Sequence, residues 1–211
     1  MLRVAVLASG RGSNLRALVD AIGRGELAAC IVGVFSDKAA SGALALARAA
    51  GIAAIHVDPK TFPSRLDFDR ALFEHVDASG ADLIVCAGFM RILSPEVVAP
   101  RVARMINIHP SLLPNYPGLH THQRALDAGD RDHGASVHVV IPALDAGPVI
   151  AQTRIAIAPG DTAESLAARL LPREHALLVQ VVRWCSEGRL RFDAERVVFD
   201  ERHLTGPLSA D

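Results

Sequence analysis

Short apolar runs alternate with stretches of helical spacing through the first half of the chain. Leu2-Arg-Val-Ala-Val-Leu-Ala8 is almost continuously apolar, the pattern of a strand buried on both faces. Beyond Ser9-Gly-Arg-Gly-Ser-Asn14, apolar residues recur at Leu15, Leu18, Val19 and Ile22, a helical stripe ended by Gly23 and Gly25. Ile31 to Phe35 predicts a second strand, Ser41 to Ala50 an Ala-rich helix with Gly51 at its C-terminal end, and Ala53 to Val57 a third strand. After Pro59 and Pro63, Phe68, Leu72 and Val76 share one face of a helix ending near Gly80. Asp82 to Cys86 reads as the fourth strand, Pro95 opens a short helix, and Met105 to Ile108 is the fifth strand. Strands alternating with helices predict a parallel sheet with right-handed crossovers.

The rhythm changes after about residue 110. Ala135 to Ile141 and Val149 to Ile157 predict strands too close together for a helical crossover, so they extend the sheet in antiparallel or mixed fashion. Thr162 or Asp161 can cap a helix running towards Trp184, which Pro172 should kink or restart. Leu190 to Phe192 and Val197 to Phe199 read as a terminal hairpin, and the last dozen residues carry no pattern and are expected to be mobile. The expectation is an α/β fold: a Rossmann-like, mostly parallel twisted sheet flanked by helices, with a mixed or antiparallel extension in the C-terminal half.

Composition narrows the classes. With 211 residues, half of them apolar, the chain can bury a sizeable core as one large domain or two small ones. A net charge of -1 without a Lys/Arg run leaves no electrostatic footprint for nucleic acid. The three cysteines, Cys30, Cys86 and Cys185, are dispersed, which argues against a disulfide framework or a CxxC metal site and for a reducing compartment. No secretory pattern and no bilayer-length apolar run is present, so a cytoplasmic protein with no membrane partner is expected.

Two stretches carry chemistry. Gly10, Arg11, Gly12, Ser13 and Asn14 lie between the first strand and first helix, where backbone N–H groups and the helix dipole favour an anion. Leu15 stands where a dinucleotide fingerprint wants glycine, and no Gly-Lys-Ser/Thr follows, which leaves a phosphate monoester or a tight turn with no ligand. Asp37, ending the second strand, keeps a dinucleotide-binding module open. The second stretch is Met105 to His122, a strand passing into a loop stiffened by Pro110, Pro114 and Pro117. Asn107 and His109 are two apart on that strand and so share a face. With Asp145 they form a candidate acyl-transfer site: an amide for an oxyanion, an imidazole for a proton, and a carboxylate that raises the imidazole pKa. No Ser or Cys nucleophile motif accompanies them, which favours direct transfer. Loop caps with scattered histidines, or a metal-dependent hydrolase built on His120, His122 and His138, are the alternatives.

Several motifs, in order along the chain, match one family. They are Ala8-Ser-Gly-Arg-Gly-Ser-Asn-Leu15, Ala87-Gly-Phe-Met-Arg-Ile-Leu-Ser-Pro95, Asn107-Ile-His-Pro-Ser-Leu-Leu-Pro114, Tyr116-Pro-Gly-Leu-His-Thr-His122, His133-Gly-Ala-Ser-Val-His138 and Leu144-Asp-Ala-Gly-Pro-Val149. The chain resembles the folate-dependent phosphoribosylglycinamide formyltransferases of purine synthesis. The resemblance implies formyl transfer from 10-formyltetrahydrofolate, as co-substrate and without a metal, to the amine of phosphoribosylglycinamide, with Asn107, His109 and Asp145 as the catalytic trio. It implies that Gly10 to Asn14 and Glu174 contact the ribonucleotide. It further implies that Arg65, Gly88, Phe89, Met90, Arg91, Ile92, Leu93, Asn107, Ile141, Pro142, Ala143, Leu144 and Asp145 contact the folate. His120 and His122 would support the loop, and His138 would be structural or act behind the trio. Residues 1–100 would be the phosphate-binding half of a single domain and 101–211 its folate-binding, catalytic half, in a monomer or weak homodimer acting on small molecules. Ile141-Pro-Ala143 departs from a stretch often acidic in the family, and Pro142 removes an N–H there. Two relatives sharing this core, a tRNA formyltransferase and a formyltetrahydrofolate hydrolase, carry extra domains for which this chain is expected to have no room.

Overall fold

The computed structural model describes residues 1–209. Its elements run β1 (Leu2–Leu7), α1 (Ser13–Gly23), β2 (Ala29–Ser36), α2 (Gly42–Ala49), β3 (Ala54–His56), α3 (Arg65–Ala78), β4 (Leu83–Cys86), α4 (Pro95–Val98) and β5 (Met105–His109). There follow α5 (Thr121–Asp127), β6 (Asp132–Val139), β7 (Val149–Ala156), α6 (Ala163–Ser186), β8 (Leu190–Phe192), β9 (Val197–Phe199), β10 (Arg202–His203) and β11 (Leu208–Ser209). The main sheet has the order β11-β7-β6-β5-β4-β1-β2-β3, with β8, β9 and β10 in a small second sheet. β1 pairs in parallel with both β2 and β4, and β4 with β5, while β6 is antiparallel to β5 and β7. The parallel sheet with its antiparallel extension is thus the arrangement that the hydrophobic runs predict.

The nearly continuous apolar run of β1 serves two cores. Val4 and Val6 face one cluster with Leu15 and Leu18 of α1 and Leu177 and Leu178 of α6. Ala5 and Leu7 face the other, with Phe68, Leu72 and Phe73 of α3. Because the chain winds outward from β1 to β3 and then returns to β4, the carboxyl ends of β1 and β4 diverge into separate loops, the place where open α/β sheets hold ligands.

Four details depart from expectation. The short helix α5 was not foreseen, and it carries His122 on a helix rather than in an irregular loop. Strand β6 begins at Asp132 rather than Ala135. Helix α6 neither ends nor restarts at Pro172, since buried Leu166, Leu170, Leu177, Leu178, Val181 and Val182 hold both sides on one apolar stripe. The tail is paired rather than patternless: Arg202 and His203 add to β9, and Leu208 and Ser209 lie parallel to Ala151 and Gln152 of β7. The final two positions of the tail expected to be mobile lie outside the described residues. Thr162, not Asp161, caps α6, its side chain accepting from the Ser165 N–H in a capping box.

Pro172 cannot donate to the carbonyl four residues back, and its ring crowds that turn. Pro172→Ala restores the bond, so the urea unfolding midpoint should rise, with a gain of about 1–3 kcal/mol.

Candidate active site

The loop after β1 turns at Gly12, the N-terminal cap of α1, with φ 81 and no side-chain cap. A Cβ there would stand 2.8 Å from the Ala43 Cα, so only glycine permits both this left-handed turn and the approach of α2. The uncapped first turn directs its amides out of the sheet end, as an anion site requires. Asn14 is buried, its Oδ1 has no partner, and its amide hydrogen-bonds Glu174 of α6. Burial raises the Glu174 pKa to about 7, against the Asn14 hydrogen bond that lowers it.

Ser9 ties this loop to the one after β4. Its N–H donates to the Gly88 carbonyl at 3.0 Å, and its hydroxyl accepts from the Met90 N–H at 2.9 Å. The same hydroxyl donates to Asp37 Oδ1 at 2.6 Å, and Arg91 lies 3.9 Å from the other Asp37 oxygen. Asp37, the residue that kept a dinucleotide-binding module open in the sequence, is therefore engaged inside the protein.

Asn107 and His109 sit at the end of β5, and their cross-strand partners on β6 are His138 and Ser136. The His109 Nε2 donates to the Tyr116 carbonyl at 2.9 Å, and its Nδ1 is 3.5 Å from Asp145 Oδ2. Asn107 Nδ2 is 3.0 Å from His138 Nε2, which in turn stands 3.5 Å from Asp145 Oδ1. The Gly118 N–H donates to Asp145 Oδ2 at 2.8 Å, fastening the proline loop over the site. Asp145 itself has φ 49, a left-handed backbone rare for a non-glycine residue, which turns its carboxylate back to the histidines.

The electrostatics are set by burial against partners. Burial lowers the His109 pKa below the ordinary imidazole value; the Tyr116 carbonyl and Asp145 pull it upward without cancelling that effect. The sequence expectation that Asp145 leaves His109 with a raised pKa is corrected on this point: its pull is present but burial outweighs it. For Asp145, burial raises the pKa, but His138 and the Gly118 amide more than compensate, so the carboxyl group stays ionised below its usual range.

Support comes from residues that sequence reasoning missed. The Ser136 hydroxyl donates to the Ser111 carbonyl at 2.7 Å and accepts from the Leu113 N–H at 3.0 Å. Gln152 of β7, opposite Ser136, donates to that hydroxyl at 2.9 Å and to the Leu113 carbonyl at 2.8 Å. The proline loop is pinned to three strands, and only pairing partners could have disclosed this.

Two cavities meet at the trio. The larger, about 610 Å³, is lined by Asn14, Glu174, Gly88 to Ile92, Asn107, His109, His120, His122, Leu144 and Asp145, among others. The smaller, about 100 Å³, runs under it between Phe89, Arg91, Leu93, Asn107, His138 and the Ile141 to Asp145 loop. Met90, Ile92, Leu119 and Leu144 are exposed large apolar residues, and all four line the larger cavity. Of the glycine loop only Asn14 lines it; Ser13 faces a groove between α1 and α6, and Gly10 and Arg11 are exposed at the rim. Arg65, exposed at the start of α3, lines neither cavity. His120, His122 and His138 do not converge: His122 Nδ1 pairs with His133 Nε2 at 2.9 Å, and His138 pairs with Asn107. Among the described residues no group of His, Cys, Asp and Glu side chains is arranged to hold a metal ion, and no helix is long and apolar enough to cross a membrane.

The cleft at the sheet switch point runs from Asn14 of the glycine turn to the Asn107–His109–Asp145 cluster. A sequence profile of the formyl transferase family matches residues 2–182, and the chain belongs to that family. Its relatives include the phosphoribosylglycinamide formyltransferase of Escherichia coli strain K12, 44% identical over 203 residues that cover 96% of either chain. The enzyme of the same name from Haemophilus influenzae is 39% identical over 204 residues, 97% of this chain and 96% of the relative. The solved phosphoribosylglycinamide formyltransferase of Coxiella burnetii superposes with a TM-score of 0.93 at 44% identity, covering 98% of this chain and 99% of that one.

Glu174 gives a sign-defined prediction. Its carboxyl pKa rises from 4.5 when unfolded to about 7 when folded, so the folded protein binds the extra proton between those values and loses stability as pH rises through that window. Glu174→Gln removes the loss. Relative to the unsubstituted protein it should be more stable at pH 8 than at pH 5, by up to about 3 kcal/mol in urea titrations.

Proposed function

We propose that this chain transfers the formyl group of 10-formyltetrahydrofolate to the amine of phosphoribosylglycinamide, with both substrates in the joined cavities. The observation that carries the reading is the Asn107–His109–Asp145 cluster, with His109 buried and the other two half-buried, at the foot of one cleft between a turn suited to an anion and an apolar pocket. The turn at Gly10 to Asn14 suits the phosphate, with Glu174 returning from the second half of the domain to the sugar and glycinamide side. The exposed apolar rim of Met90, Ile92 and Leu144 suits the flat aromatic body of the folate, and the smaller cavity suits its pterin. Pro142 has no N–H, so the loop there offers the pterin mainly carbonyl acceptors.

The amine nitrogen attacks the formyl carbon, and a C–N bond forms as negative charge moves to the formyl oxygen. An Asn107 N–H stabilises that oxygen; loss of such a donor costs on the order of 100- to 1,000-fold in rate. His109, neutral at rest because burial lowers its pKa, receives the proton of the new ammonium. The Tyr116 carbonyl and Asp145 stabilise the imidazolium, which returns the proton to the folate nitrogen as its bond to the formyl carbon breaks. The proton lost by the amine is the one gained by the folate, and no covalent enzyme intermediate is needed. Cys86, the thiol lining the smaller cavity, is pushed up to about 12 by burial and supplies no thiolate.

His109→Ala should lower kcat on the order of 100- to 10,000-fold, and Asp145→Ala should lower it strongly too, with folate affinity nearly unchanged. The assay is folate release from 10-formyltetrahydrofolate with and without the ribonucleotide. Near-normal turnover by the His109 variant would remove the proton-carrier role.

A further inference from the structure

We propose that His138 is a positioning residue for the transfer: as a neutral ring it fixes the Asn107 amide so that an N–H, not the amide oxygen, meets the formyl oxygen. This rests on the role given to Asn107 above. His138 stands directly opposite Asn107 on the β5–β6 ladder, is 1% exposed, and has Nε2 3.0 Å from Asn107 Nδ2. Its other nitrogen, Nδ1, lies 2.9 Å from the Val139 carbonyl. A carbonyl only accepts, so Nδ1 carries the proton, and the Nε2 of a neutral ring is left as an acceptor. An amide facing a bare nitrogen must present its NH₂ group. One of the two N–H bonds is then held by His138 and the other is aimed by the amide plane.

The competing arrangement is a protonated ring donating from Nε2 to Asp145. That contact is 3.5 Å, outside normal hydrogen-bond range, against 3.0 Å to Asn107, and it would force the Asn107 amide to turn its oxygen towards His138. The Asp145 carboxylate is already engaged by the Gly118 N–H, and His109 faces His138 edge-on with ring centroids 6.5 Å apart. The flanking residues of the strand, Val137 and Val139, are buried and apolar. A histidine between them has its nitrogens directed to Asn107 and a backbone carbonyl, which is the arrangement of a part that orients its neighbour.

The test has two arms. His138→Met, which keeps bulk without a nitrogen, should lower kcat on the order of 10- to 100-fold with KM changed less than about twofold, and His138→Gln, whose amide oxygen reaches the same place, should recover most of it. In the Asn107→Ala background His138→Met should cost nothing further. Multiplying effects, or a glutamine variant as poor as the methionine one, would overturn the proposal. The second arm needs no substitution: ¹⁵N spectra of histidine-labelled protein should show His138 as the Nδ1–H tautomer, and an Nε2–H ring or an imidazolium at neutral pH would equally overturn it. If Asn107→Ala itself retains full kcat, the oxyanion role fails, a result distinct from a wrong tautomer or a failed rescue.

Discussion

The antiparallel register of β5 with β6 is the constraint on which the site depends. Asn107 is paired with His138 and His109 with Ser136, so Asn107 faces the ring it contacts at 3.0 Å and His109 lies opposite the hydroxyl that pins the proline loop. A slip of one residue would turn every β6 side chain to the opposite face and would exchange these partners for Val137 and Val139. The next strand repeats the device, since Gln152 opposes Ser136 and reaches the proline loop. Gly147 then lets the β6–β7 connection fold close over the strand end, because a Cβ there would stand 2.0 Å from the Val139 carbonyl oxygen. That close return brings Asp145 back above the residues of β5.

Asp145 is where these restraints meet. Its left-handed backbone costs about 1–3 kcal/mol and persists only where surroundings over-determine it. The Gly118 amide supplies part of that determination, and by donating to Asp145 Oδ2 it also favours the ionised carboxylate inside the protein. His109 is pulled two ways: burial favours the neutral ring, while the Tyr116 carbonyl and Asp145 favour the cation. Such a balance suits a group that must both accept and release one proton within a turnover.

The alternation of strands and helices was legible because parallel strands buried on both faces leave nearly continuous apolar runs, as β1 does. Asn107 and His109 were legible for the same reason, two apart at the end of such a run. The start of β6 was hidden because Asp132, His133 and Gly134 have no apolar signature, and α5 because only Thr121 and Ala125 of it are buried, too few for a stripe. Helix α6 continues through Pro172 because packing along a long helix outweighs a local breaker. The partners of the trio were hidden more deeply. Ser136 and Gln152 become recognisable only once strand register is known, and the Tyr116 carbonyl and Gly118 amide are backbone groups whose direction no side chain announces.

Buried polar atoms in folded proteins are nearly always hydrogen-bonded, so those that are not need a reason. Asn14 Oδ1 and Arg91 Nε are buried without partners, and both residues line the larger cavity. Asp69 Oδ1 and Thr153 Oγ1 are also unpartnered yet line neither cavity, so an orphaned atom alone does not mark a site. What separates the first pair is convergence: Asn14 meets Glu174, held near neutrality by burial, while Arg91 stands over the Phe68 ring at 5.0 Å beside Asp37. Both residues line the same cleft from opposite loops of the sheet switch point, with the unpartnered atom itself shut off from solvent. A ligand in that cleft with a polar group near each wall and an apolar middle would meet both residues and cover the exposed rim between them.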